Sequence, residues 1–319
     1  KEQRISSILQ GKDEPSTLSD RMFNKVVFEN SPYAYPSEGT EKSVRDLNRK
    51  DFTEFYKSHY CPENLILAFV GAISNNEALE IVNKNFNTWS STNCRADKQF
   101  PEKSSGIFSK QDVYIVDKSE AVQSSIRIGH LGIARNNPDF LKVIIMNTIL
   151  GGYFGSRINL NLREKHGYTY GARSGFNARI FPGDFSVDAD VRNEVTDSSV
   201  TQIIEELKRI VSGEVTDEEL QTVKNYLTGI FPLQLETANA VATRVINLKL
   251  YSLPKNYYNT YISEINKLTK SDIFNAAKKY IHPDNLYIVL SGDSKNIKNK
   301  LTKFGKVKIY DADGNQIKN

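Results

Sequence analysis

Hydrophobic positions along this chain recur with two different periods. In residues 184–191 every second residue is apolar: Phe185, Val187, Ala189 and Val191. That alternation predicts a strand with one buried face. Residues 112–116, 123–133 and 168–180 read as further strands. Elsewhere the spacing becomes three and four. Thr196 precedes Val200, Ile203, Ile204, Leu207, Ile210 and Val211, and Gly213 follows as a stop, so a helix capped by Thr196 is expected. Thr216 and Glu219 form a capping box ahead of Leu220, Val223 and Leu227. Residues 138–150 are apolar on most sides, which predicts a buried helix. Residues 1–10 read as the end of a helix with Ile5, Ile8 and Leu9 on one face, residues 16–28 and 76–86 as helices, and residues 31–37 as a loop.

Laid over this pattern is a repeat. Residues 47–71 match residues 268–292 at a constant offset of 221 with no gap: Leu47, Asp51, Lys57, Pro62, Asn64, Leu65 and Gly71 recur as Leu268, Asp272, Lys278, Pro283, Asn285, Leu286 and Gly292. Each copy reads as a helix, a Pro-x-Asn break and an apolar strand, 65–70 in the first and 286–290 in the second. A repeat of this length marks a duplicated folding unit. Upstream of the second copy lie strands and helices. Upstream of the first there is little, so the first unit is expected to lack about 110 residues at its start.

The expectation is therefore an α+β protein of two tandem units, each an antiparallel-rich sheet with helices on one face. Residues 1–94 form the back part of the first unit, 95–110 a polar linker containing Pro101 and Gly106, and 111–319 the complete second unit.

Composition narrows the function classes. The 319 residues are 39% hydrophobic and 25% charged, with net charge +4, which suits a globular protein with a proper core. The lysines are scattered rather than clustered with aromatics, which gives nucleic-acid binding little support. Lys295, Lys298, Lys300, Lys303 and Lys306 read as a solvated helix face. No stretch of 18 apolar residues predicts a membrane span. Cys61 and Cys94 form no Cys-x-x-Cys pair, which excludes a zinc site of that type and leaves a disulfide between them open.

The most specific local sequence runs from Leu150-Gly151-Gly152-Tyr153-Phe154-Gly155-Ser156-Arg157 through Leu162-Arg163-Glu164-Lys165-His166-Gly167-Tyr168-Thr169-Tyr170-Gly171. The glycines allow a helix to end in a tight turn, and Ser156 is placed to cap the next short helix. Arg163 falls on that helix and Tyr170 on the strand after it, with the Gly167 turn between them.

Here the chain resembles the pitrilysin, insulinase and mitochondrial processing peptidase superfamily of zinc metallopeptidases, the inverzincins. The resemblance runs over the whole chain and rests on the Leu-Gly-Gly helix end, the Leu-Arg-Glu-Lys…Tyr stretch and the two Pro-x-Asn-Leu units. It implies one half of a clamshell. In that family one unit carries zinc on an inverted His-x-x-Glu-His helix, and the facing unit supplies an Arg and a Tyr that hold substrate around the scissile bond. By position these match Arg163 and Tyr170. Tyr168 and His166 are further substrate-contact candidates. A tyrosine hydroxyl suits a carbonyl oxygen that gains negative charge, and an arginine fork suits substrate carbonyls.

The zinc motif itself is absent. No two of His59, His130, His166 and His282 stand four apart. In the family the third ligand, a Glu, lies on the helix that opens this chain, a fixed distance before the acidic-Pro pair that ends it. With Glu14–Pro15 taken as that pair, counting back from Pro15 reaches Ser7, and serine is not a usual zinc ligand. The resemblance is thus to the zinc-less subunit of a two-chain member. It implies no metal in this chain, zinc on a homologous partner subunit, and an extended peptide as substrate, with a homodimer of this chain left open. Two alternatives stand beside it: a scaffold subunit without proteolytic role, and an active peptidase whose histidines lie upstream of Lys1.

Overall fold

The structure, a computed structural model, describes residues 1–29, 31–90, 112–213 and 215–317. The first stretch is helical, with α1 (Glu2–Gly11), α2 (Pro15–Phe28), α3 (Glu41–Asp46), α4 (Arg49–His59) and α5 (Asn75–Phe86). From residue 112 follow β1 (Asp112–Asp117), β2 (Gln123–Leu131), α6 (Phe140–Asn147), α7 (Arg157–Asn159), β3 (Ala172–Asn177) and β4 (Asp184–Arg192). Then come α8 (Thr196–Val211), α9 (Asp217–Leu233), α10 (Ala238–Leu250), α11 (Tyr257–Lys267), α12 (Lys270–Tyr280), β5 (Tyr287–Gly292), α13 (Ser294–Leu301) and β6 (Lys306–Tyr310).

The strands form one mixed sheet in the order β3-β4-β2-β5-β1-β6. The pairs β3–β4, β4–β2 and β2–β5 are antiparallel, and β1 lies parallel to both β5 and β6. This is the expected α+β class with an antiparallel-rich sheet. Alternate strand residues point to opposite faces. Ile126 and Ile128 of β2, Phe185 and Val187 of β4, and Ile288 and Leu290 of β5 meet Val143, Ile145 and Met146 of α6, Ile203 and Leu207 of α8, and Ile273 of α12 in the main core.

The opposite face is also used, and the sequence pattern does not say which helix covers it. Leu18, Met22, Phe23, Val27 and Phe28 of α2 pack on Val116 of β1 and Val289 of β5. The unbroken apolar run at 288–290 is the trace of this: a strand buried on both faces does not alternate. Beside that contact Arg127 of β2 pairs with Asp20 of α2 and stands 3.3 Å from Asp188.

Four local expectations need correction. Residues 65–70 carry no strand pairing; a strand needs a neighbour to take its backbone hydrogen bonds, and among the described residues none runs beside them. The stretch 168–180 is a strand only over Ala172–Asn177, because Gly167 at φ +62° turns the chain and a bend at Tyr170 follows. Thr196 does not cap α8; it is the helix's first residue, and its hydroxyl instead meets Ser124 Oγ at 3.1 Å. Glu14–Pro15 does not end α1; Pro15 opens α2, where its missing N–H is no loss. The Thr216–Glu219 capping box is present as expected. Cys61 is disulfide-bonded. Cys94 and the linker 95–110 lie outside the described residues.

Candidate functional site

The buried helix α6 does not stop at the glycines; it widens. Residues Thr148–Gly152 form a π-helical turn. α7 follows and runs into a second one, Leu160–Lys165. Such turns are rare and recur at functional sites. The first needs glycine: a Cβ on Gly151 would lie 2.4 Å from Ser174 Oγ on β3. Close approach is sealed by a reciprocal pair, in which Asn147 Nδ2 donates to the Ser174 carbonyl at 3.1 Å and Ser174 Oγ donates to Asn147 Oδ1 at 2.8 Å.

The inner side of residues 157–165 is anchored in the core. Ile158 and Leu162 are fully buried. Arg157 grips Glu219 bidentately, Nε to Oε1 at 2.7 Å and Nη2 to Oε2 at 2.8 Å. Burial pushes the Glu219 carboxyl up, but Arg157 and the Thr216 amide more than offset it and hold the group below the usual carboxylate range. Asn161 Nδ2 donates to the buried Glu206 at 2.7 Å. Ser156, expected as a cap, precedes α7, but its hydroxyl makes no cap hydrogen bond.

The outer side carries the candidate residues. The Arg163 guanidinium lies 4.6 Å from the centre of the Phe154 ring, and its Nε is 3.3 Å from Glu164 Oε1. Tyr170 stands in the bend before β3, not on the strand, and is 93% exposed. Its neighbour Thr169 shapes the bend: the hydroxyl accepts from the Gly171 amide and donates to the Gly171 carbonyl. The His166 and Tyr168 rings stack at 4.9 Å, and the Tyr168 amide donates to the Leu162 carbonyl at 2.8 Å. The fold thus brings His166 to Tyr168 and Arg163 to Phe154. Among the described residues, no hydrogen bond, ion pair or ring contact joins Arg163 to Tyr170. Phe154, 65% exposed, was not singled out by the sequence. Its signal was a large apolar residue inside a glycine-rich turn.

The residues do not fit a zinc site. α6 buries Val143, Ile145, Met146 and Asn147 and carries no histidine. Ser7 is exposed on α1, in an open cleft with Arg4, Gly11, Thr17, Arg21, Ser37 and Glu38. No group of three His, Cys, Asp or Glu able to hold a metal occurs among the described residues. His130 and His282 do meet, with ring centres 4.9 Å apart. Both nitrogens of His130 are engaged, however: Nδ1 donates to the Leu131 carbonyl at 2.9 Å and Nε2 accepts the His282 amide at 3.2 Å. Burial, with a smaller push from His282, lowers the His130 pKa to about 4. This is a neutral histidine pinned in the core. Among the described residues no helix is long and apolar enough to cross a membrane.

The family model described as the peptidase M16 inactive domain matches residues 46–227. An uncharacterised zinc protease of Mycobacterium leprae is 27% identical over 244 residues, 76% of this chain and 54% of that protein. A probable inactive metalloprotease of Bacillus subtilis is 23% identical over 293 residues, 90% of this chain and 65% of the relative. The chain thus spans between about half and two thirds of the length of these relatives. Among solved structures, a peptidase M16 inactive domain from Pseudomonas fluorescens superposes with a TM-score of 0.83 at 25% identity, covering 91% of this chain and 69% of that one.

Proposed function

Because the chain belongs to the family of the peptidase M16 inactive domain, we propose that it is the zinc-less jaw of a two-chain peptidase and presents Arg163 and Tyr170 to an extended peptide. The observation that carries this reading is the contrast within residues 150–171. Their inner side is locked by core packing and the Arg157–Glu219 pair, while on the outside the Tyr170 phenol is exposed and the Arg163 guanidinium lies over the exposed Phe154 ring beside Glu164. Preorganised groups held this way contribute most where charge develops in a transition state.

The chemistry divides between two chains. The metal that polarises the scissile carbonyl comes from a homologous partner subunit. In this chain the Tyr170 hydroxyl donates a hydrogen bond to the carbonyl oxygen as negative charge grows on it. The Arg163 guanidinium holds backbone carbonyls of the peptide in register. Among the described residues β3 pairs with β4 alone. On its other side Asn159 holds the Ala172 amide and Asn147 the Ser174 carbonyl, so only the part of that edge past Ser174 is left for an added strand, a mode that reads backbone more than sequence. Tyr170 lies two residues ahead of β3.

The test is to mix the chain with a zinc-bearing homologue and follow cleavage of an unfolded peptide. Arg163→Ala and Tyr170→Phe are each expected to lower turnover about a hundredfold, the scale of a lost oxyanion donor. Unchanged turnover in both would make the chain a scaffold instead.

A further inference from the structure

Arg163 and Tyr170 ride on different pieces of chain, the second π-helical turn and the approach to β3. One buried side chain connects the two supports. Asn159, 4% exposed at the end of α7, donates through Nδ2 to the Phe154 carbonyl at 2.7 Å. Its Oδ1 accepts the Ala172 backbone amide at 3.1 Å. Phe154 is the ring under the Arg163 guanidinium. Ala172 is the first residue of β3, two residues past Tyr170. A bridge that donates at one end and accepts at the other requires a carboxamide; an acid or a hydroxyl of similar size cannot fill both roles when ionised or too short. The neighbours Ile158 and Leu162 are locked in the core, which sets the rotation of the helix and aims Asn159 into the gap between the two segments.

We propose that Asn159 is a positioning residue that sets the distance between the Arg163 platform and the Tyr170 arm. The inference rests on the peptide-binding role proposed for that pair. Each hydrogen bond of the bridge contributes only about 1 kcal/mol to stability. Its effect on turnover is larger, because a displacement of about 1 Å at a reacting group costs up to a hundredfold.

The test compares Asn159→Ala, which removes both arms, with Asn159→Asp. In the latter an ionised carboxylate keeps the Ala172 arm and repels the Phe154 carbonyl, whereas a protonated carboxyl matches the carboxamide in both directions. Turnover of an unfolded peptide is read with the zinc-bearing homologue, alongside Arg163→Ala and Tyr170→Phe. Asn159→Ala is expected to lower kcat about tenfold or more with KM little changed. For Asn159→Asp, turnover relative to the unsubstituted protein at the same pH should recover as pH falls and the new carboxyl protonates. A purely structural residue would not give that recovery. Amide exchange supplies a readout independent of activity: the Ala172 N–H should lose protection in Asn159→Ala and keep it in Asn159→Asp. If Arg163→Ala and Tyr170→Phe are impaired while Asn159→Ala turns over normally, the positioning role is wrong and the peptide-binding role stands. If Arg163→Ala and Tyr170→Phe are themselves unimpaired, the peptide-binding role fails and the positioning role with it.

Discussion

Residues 47–71 and 268–292 share one pattern, and their helices obey it equally. α4 spans 49–59 and α12 spans 270–280, the same positions under the offset of 221. Each opens with a capping box, Asn48 with Asp51 and Thr269 with Asp272. There the likeness ends. α12 buries Ile273, Ala276 and Ala277, whereas α4 buries nothing. The second strand lies between β2 and β1 at the centre of the sheet; the first makes no strand pairing among the described residues. Local chemistry therefore sets helix and cap in both copies. The strand is decided by what lies beside it, because its hydrogen bonds are all made with other segments.

The sharpest way to break this comparison is to cut the same position in both copies. Ile288 is fully buried and its counterpart Leu67 is 43% exposed. Ile288→Ala is expected to cost about 2–5 kcal/mol and Leu67→Ala less than about 1 kcal/mol, measured by denaturant unfolding. Equal losses would show that the two strands are buried alike after all.

A smaller effect comes from pH and belongs to the second copy alone. The break ahead of β5 is stitched to β2 through the His282 amide and His130. The folded pKa of His130, about 4, lies below its ordinary 6.5, so the unfolded chain takes up the proton first. The stabilisation is full above about pH 6.5 and is lost as pH falls towards 4. In total it is worth on the order of 3 kcal/mol. Unfolding midpoints between pH 7.5 and 4.5 should fall, and His130→Gln should flatten that part of the curve. A variant with the same slope would remove His130 as the cause.

The caps give the smallest effect. Asn48→Ala and Thr269→Ala each remove a side-chain acceptor worth about 1 kcal/mol. For Thr269 the loss should appear in global unfolding, since α12 is part of the core. For Asn48 it should appear as faster amide exchange within α4 and leave the unfolding midpoint in place. A shift of the midpoint by both would mean that α4 is coupled to the core.

How much of this was readable beforehand follows the same division. β4 alternates, so its buried face was visible in Phe185, Val187, Ala189 and Val191. The Thr216–Glu219 box marked the start of α9 because both partners sit within three residues. In the site, Arg163 and Tyr170 stood out from the motif around them, and the structure puts both on the outer side of an anchored turn. Phe154 and Asn159 were not legible. The ring matters because Arg163 folds back over it, and the carboxamide because Ala172 arrives from 13 residues downstream. Likewise nothing in the apolar stripe of α2 says which sheet it will cover. A stripe predicts burial, not the surface that does the burying.

The sequence alone determined the repeat between residues 47–71 and 268–292, the main helices, the Thr216–Glu219 cap and the α+β class, and it holds no His-x-x-Glu-His motif within these 319 residues. Each of these is written in residues a few places apart or in a repeat of fixed offset. Only the tertiary structure decided that α2 lies on the second face of the sheet, that residues 65–70 remain unpaired among the described residues, and that Asn159 spans two supports of the candidate site. Those outcomes depend on segments distant in sequence meeting in space, and no local period encodes such a meeting.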